Sequence, residues 1–176
     1  KGQKMDGSIQ VYYGNGRGKT TAALGLGIRA AGVGKQVIMV QFLKKKHSDT
    51  LDFLKKLEPE LQIFRFEKAA CGYSDLSPKE KQEQMLNIKN ALGYSRKVLD
   101  TGQCDLLILD EIFGLVDYNI ITIEELMDLI AVKKDSMDLI LTGRNLPDEV
   151  REIADCVYSI QREKEKTPEI LAQGNF

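Results

Sequence analysis

The chain reads as an α/β fold, a mostly parallel sheet covered by helices on both faces, and three observations predict it. Apolar runs of strand length alternate with segments of helical period, which is the pattern of successive β-α-β units. Several of those runs are apolar at consecutive positions, as strands buried on both faces require. The first run leads straight into a glycine-rich loop that opens a helix.

Taken in order, the strand candidates are 9–13, 37–42, 61–66, 106–109 and 139–141, with a weaker sixth at 157–160. The helical stretches fall between them. Lys19 to Ala31 is rich in Ala and Leu and stops at Gly32. Ser77-Pro78-Lys79-Glu80 is a capping box with proline at the first helical position, and Met85, Ile88, Leu92 and Leu99 follow at helical spacing. Thr122-Ile123-Glu124-Glu125 is a second capping box, ahead of Leu126, Leu129 and Ile130. With no internal repeat or clear linker, one domain is expected over 1–176, ending in a charged tail at 162–176.

Composition narrows the function classes. The 176 residues carry 25 Lys+Arg against 26 Asp+Glu, a net charge of −1, which argues against a nucleic-acid coat or a polybasic membrane anchor. The apolar runs fall well short of the about 20 residues that span a bilayer. The polar start, Lys1 to Ser8, reads without a secretory signal, so the expected compartment is the cytoplasm. Cys71, Cys104 and Cys156 are scattered and odd in number, which suits free thiols in a reducing compartment. His47 is the only histidine and lies in a lysine-rich stretch, so multi-His metal sites are excluded and a histidine base is not expected.

The strongest local signal is Tyr13-Gly14-Asn15-Gly16-Arg17-Gly18-Lys19-Thr20-Thr21. Glycines at 14, 16 and 18 permit turns in which successive N–H groups face one concavity, and the helix that follows adds its N-terminal partial charge. Lys19 supplies a full charge to phosphate oxygens, and the Thr20 hydroxyl is placed to ligate Mg²⁺. The usual first glycine of this loop is replaced by Tyr13, while the rest of the spacing is intact.

The acidic half of such a site is expected at Leu106-Leu107-Ile108-Leu109-Asp110-Glu111, where both carboxylates emerge at the carboxyl end of a strand and one can hold Mg²⁺ directly or through water. The other reading is that the pair caps the next element. Leu141-Thr142-Gly143-Arg144-Asn145 offers a hydroxyl and a guanidinium at another strand end. Arg144 reads either as a forked phosphate contact or as part of a helix-entry turn before Pro147. Lys44, Lys45 and Lys46 read first as a solvated loop, and second as a positive rim beside an anionic substrate.

Together these segments resemble the P-loop ATP:corrinoid adenosyltransferases, also called cob(I)alamin adenosyltransferases. The resemblance rests on the 9–26 stretch, Val40-Gln41-Phe42-Leu43-Lys44, Leu109-Asp110-Glu111-Ile112, Leu141-Thr142-Gly143-Arg144-Asn145 and Ala154-Asp155, collinear over roughly 8 to 160. It implies a RecA-like P-loop fold and a homodimer that uses ATP and Mg²⁺. The implied reaction moves the 5′-deoxyadenosyl group of ATP to the cobalt of a reduced corrinoid and releases triphosphate, with a flavoprotein as candidate electron donor. It implies that Asn15 to Thr21 wrap the triphosphate, that Thr20 and Glu111 lie near the metal, and that Arg144 serves the nucleotide. The family's glycine-plus-two-aromatics stretch, which walls the corrinoid, reads Cys71-Gly72-Tyr73-Ser74-Asp75 here, with Tyr73 as first aromatic and Asp75 in place of the second. Of the family's closing motif only Ala172-Gln173-Gly174 is present.

A site without histidine suits this chemistry, because cobalt(I) is itself the nucleophile and the protein has only to position reactants and stabilise a polyanionic leaving group. The same residues suit phosphoryl transfer, so a kinase or ATPase acting on another substrate stays open, as does an ATP-dependent corrinoid-binding switch without turnover.

Overall fold

The computed structural model describes residues 6–44, 49–66 and 72–164. Lys45, Lys46, His47, Cys71 and the closing 165–176 stretch, Ala172-Gln173-Gly174 included, lie outside the described residues.

Among the described residues six strands form one sheet: β1 (Ile9–Tyr13), β2 (Val37–Gln41), β3 (Leu61–Phe64), β4 (Leu106–Asp110), β5 (Asp138–Gly143) and β6 (Cys156–Ser159). Their order is β3-β2-β4-β5-β1-β6, and every pairing is parallel. The weak sixth run is therefore a full strand, paired to β1 through Val11 and Val157. The helices are α1 (Lys19–Gly32), α2 (Asp49–Leu54), α3 (Pro78–Thr101), α4 (Ile112–Asp117), α5 (Ile123–Ala131) and α6 (Asp148–Ile153). The sequence pattern misses α2, α4 and α6, each six residues long and too short to show a helical period. Among the described residues no helix is long and apolar enough to cross a membrane.

Alternation along the strands splits the core in two. Val37, Met39, Leu106, Ile108 and Ile140 face α1, where Ala23 and Gly27 let the helix approach the sheet closely. A Cβ on Gly27 would come within 3.1 Å of Ile108 Cδ1. The larger cluster on the opposite face joins Ile38, Val40, Leu107, Leu109, Leu139 and Leu141 to Ile88 and Leu99 of α3 and Leu126 and Leu129 of α5. Asp155, just before β6, accepts from the Ile9 amide at 2.7 Å and so fixes where β1 begins.

Both capping boxes form. Ser77 Oγ accepts from the Glu80 amide and the Glu80 carboxylate accepts from the Ser77 amide, and Thr122 and Glu125 repeat the arrangement. Ser77→Ala is expected to cost about 1 kcal/mol, read from the urea unfolding midpoint. Cys104 and Cys156 are free thiols. Burial pushes the Cys104 thiol up to about 12. At pH 8 it should therefore resist iodoacetamide in the folded protein and react in urea, which peptide mass mapping checks.

Candidate active site

The carboxyl ends of β1, β2, β4 and β5 open onto a cavity of about 860 Å³ lined by residues 15–21, by Leu43 and Lys44, by Glu111, Gly114, Asp117 and Tyr118, and by Arg144 and Asn145. This is where α/β sheets place their ligands. Among the described residues four cations line it, Arg17, Lys19, Lys44 and Arg144, against the two carboxylates Glu111 and Asp117, a balance that favours an anion.

The loop between β1 and α1 turns sharply. Gly14 and Gly18 hold φ of 125° and 106°, a region that excludes most side chains. Lys19 Nζ donates to the carbonyls of Gly14 and Gly16 at 2.8 and 2.9 Å and so spans the loop. Burial moves its ammonium below the usual lysine value, with Lys44 and Arg144 adding to the shift and Glu111 opposing it. The chain leaving β6 braces the loop from behind. Ile160 O accepts from the Gly16 amide at 2.9 Å, and Asn15 Oδ1 accepts from the Arg162 amide at 3.1 Å. A Cβ on Gly14 would collide with that Ile160 carbonyl.

Below the loop, one row of polar side chains crosses the sheet on the α1 face. Gln41 pairs with Asp110 in register, and Thr142 lies one residue beyond the paired Leu109 and Leu141. Asp110 has no exposed surface. It accepts from Thr20 Oγ1 at 2.9 and 3.0 Å, from Thr142 Oγ1 at 2.7 Å and from Gln41 Nε2 at 3.2 Å, with Lys44 Nζ 3.5 Å away. Arg65 Nε in turn donates to Gln41 Oε1 at 2.7 Å. Burial lowers the Arg65 guanidinium from its usual value, against the pull of Asp110.

This geometry corrects two expectations. Only Glu111 of the acidic pair reaches the cavity, because Asp110 points down onto the α1 face and serves the donors around it. Lys44 is not part of a solvated loop: it is half-buried and also reaches Thr20 Oγ1 at 3.3 Å. Glu111 holds φ of 64° at the entry to α4, and burial raises its carboxyl above the ordinary range, with Asp110 adding to the rise and Lys44 and Lys19 opposing it. Arg144 is exposed on the cavity and lies in the turn before α6.

Tyr73 does not line the cavity. Its ring lies 5.2 Å from that of Tyr118, with Lys81 Nζ 5.7 Å above it, and Tyr118, 47% exposed, is the aromatic on the wall. Gln41, Leu43, Gly114, Asp117, Tyr118 and Asn145 received no role from the sequence. Glu111 and Tyr118 are the residues that flank the six-residue α4, and no sequence period marks them as one wall.

An all-parallel sheet with a phosphate loop at the end of β1, a buried acid at the end of β4 and a cationic cavity above them defines a RecA-like P-loop nucleotide-binding protein. The same architecture occurs in a KaiC-like protein of Pyrococcus horikoshii, with a TM-score of 0.56 and 20% identity over 92% of this chain and 75% of that one. An ATP synthase subunit of Nanoarchaeum equitans gives 0.60 and 17%, over 96% of this chain and 47% of that one. More specifically, the chain belongs to the family of the ATP:corrinoid adenosyltransferase BtuR/CobO/CobP, whose model matches residues 5–173. It is 30% identical to the corrinoid adenosyltransferase of Escherichia coli K12 over 159 residues, 90% of this chain and 79% of that protein. Identity, length and both shares are the same for the corrinoid adenosyltransferase CobA of Salmonella typhimurium.

Replacing Asp110 by Ala leaves the Lys44 charge and three hydrogen-bonding groups without their partner. The expected loss is about 3 kcal/mol of stability, measured by urea unfolding.

Proposed function

We propose that this chain transfers the 5′-deoxyadenosyl group of ATP to the reduced cobalt of a corrinoid and releases triphosphate. The observation that carries the reading is the single cavity that runs from the phosphate loop, past Glu111, to the Tyr118 ring. It joins an anion-binding end to an aromatic end within one space, as a reaction between a nucleotide and a flat macrocycle demands.

The amides of Asn15 to Thr21 wrap the triphosphate, and Lys19 exchanges its two loop carbonyls for phosphate oxygens. The donors at the metal position are a hydroxyl and a carboxylate, hard oxygen ligands of the kind Mg²⁺ takes, and no cluster of three or more His, Cys, Asp or Glu occurs among the described residues. Thr20 and Glu111 would hold Mg²⁺ there, with phosphate oxygens and water completing its shell. Asp110 acts behind them: it takes the Thr20 proton into a hydrogen bond, and with Lys44 Nζ on one lone pair of that oxygen, the other is left for a metal. The metal would neutralise charge on the leaving triphosphate.

Cobalt(I) brings the electron pair that forms the bond to ribose C5′ as the C5′–O bond breaks, so no general base is required of the protein. Lys19, Lys44 and Arg144 then meet the charge that gathers on triphosphate. Tyr118 presents its ring to the corrin, and Tyr73 supports that ring from behind. The family resemblance further supports a cytoplasmic homodimer supplied with electrons by a flavoprotein, and sedimentation checks the dimer.

The deciding experiment incubates the protein with Mg-ATP and cob(I)alamin under anaerobic reduction. The expected result is the light-sensitive spectrum of a cobalt–carbon product with one triphosphate per turnover. ADP or orthophosphate as the only nucleotide-derived products would instead mark a kinase or ATPase. Lys19→Ala should lower ATP affinity and turnover on the order of 100-fold with the fold intact, seen by titration and circular dichroism. Tyr118→Ala should raise the corrinoid KM roughly tenfold and spare ATP affinity. Because its carboxyl titrates above the ordinary range, Glu111 takes up a proton while surface glutamates are still charged. Mg²⁺ must displace that proton, so the Mg²⁺ concentration needed to bind an ATP analogue should rise as pH drops through the raised value, read by titration at several pH values.

A further inference from the structure

One buried hydroxyl serves both members of the acidic pair. Thr142, at the end of β5, has no exposed surface. A threonine hydroxyl has one hydrogen to give and two lone pairs to receive with. Here the hydrogen goes to Asp110 Oδ1 at 2.7 Å, and a lone pair accepts the Glu111 amide at 2.8 Å. The two bonds act on consecutive residues with opposite fates, one carboxylate turned down into the sheet and the next turned out into the cavity.

A strand that continued would send Glu111 to the face opposite Asp110, among the helices there; a turn of the backbone at Glu111 aims it into the cavity instead. Glu111 stands at φ 64°, in the left-handed region that side chains other than Gly, Asn and Asp rarely adopt. Such a conformation persists only where neighbouring groups impose it. The Thr142 hydroxyl is the group the Glu111 amide meets, in place of the strand partner it would have if β4 continued. Its own carrier is locked as well: a Cβ on the next residue, Gly143, would come within 2.5 Å of Phe113 Cβ, so β5 ends against α4 without slack.

We propose that Thr142 is a positioning residue for the transferase reaction, its single hydroxyl holding Asp110 against Thr20 and Glu111 in its left-handed turn, so that the Thr20 hydroxyl and the Glu111 carboxylate face the same metal position. This rests on the reading of Thr20 and Glu111 as the Mg²⁺-holding pair. A valine at 142 keeps the shape but removes both hydrogen bonds, while a serine keeps both.

The test uses the full chain as Thr142→Val and Thr142→Ser. Three quantities are read: the Mg²⁺ concentration for half-maximal binding of a fluorescent ATP analogue without corrinoid, kcat with saturating Mg-ATP and cob(I)alamin, and the unfolding midpoint. Groups that orient metal ligands typically cost 10–100-fold when removed. Thr142→Val is expected to raise the Mg²⁺ requirement and to lower kcat by about tenfold each, with corrinoid KM unchanged. Thr142→Ser should restore both to within about twofold. Equal losses in Val and Ser, or a Val variant that loses only stability, would overturn the proposal. If Thr142→Val does not fold, Thr142→Cys, with its weak S–H donor, serves instead: an intermediate Mg²⁺ requirement supports the role and a wild-type one refutes it. Because the Mg²⁺ titration needs no corrinoid, a wild-type chain that binds Mg-ATP yet transfers no adenosyl group would sink the functional reading and leave the positioning role still measurable.

Discussion

Asp110 sits with no exposed surface at the end of β4, held there by groups from α1, from β2, from the turn after β2 and from β5. A buried carboxylate is costly unless it is paired and hydrogen-bonded, so each of those groups is constrained by the need to reach it. That need ties the start of α1 to the sheet and keeps Lys44 inward. Gln41 carries the network outward to Arg65 beyond β3. Such a cluster adds little net stability over an apolar one of the same size. Its effect is to forbid other arrangements, because any displaced partner leaves a charge unanswered in a dry interior.

The phosphate loop depends on this anchor from below and on the chain after β6 from behind. Thr20 fixes the helix end of the loop to Asp110. Ile160 O fixes its middle through the Gly16 amide, and Lys19 closes it over the carbonyls of Gly14 and Gly16. The loop is thus shaped before any ligand arrives, which reduces the ordering cost of binding a flexible polyanion. Strain gathers at the same rim. Leu43 and Glu111, at the ends of β2 and β4, both adopt positive φ and both line the cavity, as backbone strain at functional sites commonly does.

Much of this was legible in the residue order. β2, β4 and β5 were readable because a strand covered on both faces must be apolar at consecutive positions, while β6, an edge strand with two exposed residues, left only a weak run. The starts of α3 and α5 were readable because a helix N-terminus needs its free amides satisfied by a nearby side chain. The phosphate loop was readable because glycine spacing, lysine and threonine act within nine residues of one another. The short helices escaped notice, and with them the cavity wall: six residues of α4 cannot display a period, and Tyr118 gains its place only from where α4 packs.

By itself the sequence determined what local chemistry dictates: the alternation of strand and helix, the two capping boxes, the loop that cradles phosphate, and through its collinear motifs the adenosyltransferase resemblance. The tertiary structure alone decided which of two adjacent carboxylates faces the cavity and which is buried. It also moved Lys44 from solvent to the Asp110 cluster and put Tyr118, not Tyr73, on the wall. The reason is register. Whether a residue at a strand end points to α1, to the opposite helices or into the cavity depends on which strands lie beside it, and on one backbone turn held by a hydroxyl 31 positions away in the chain.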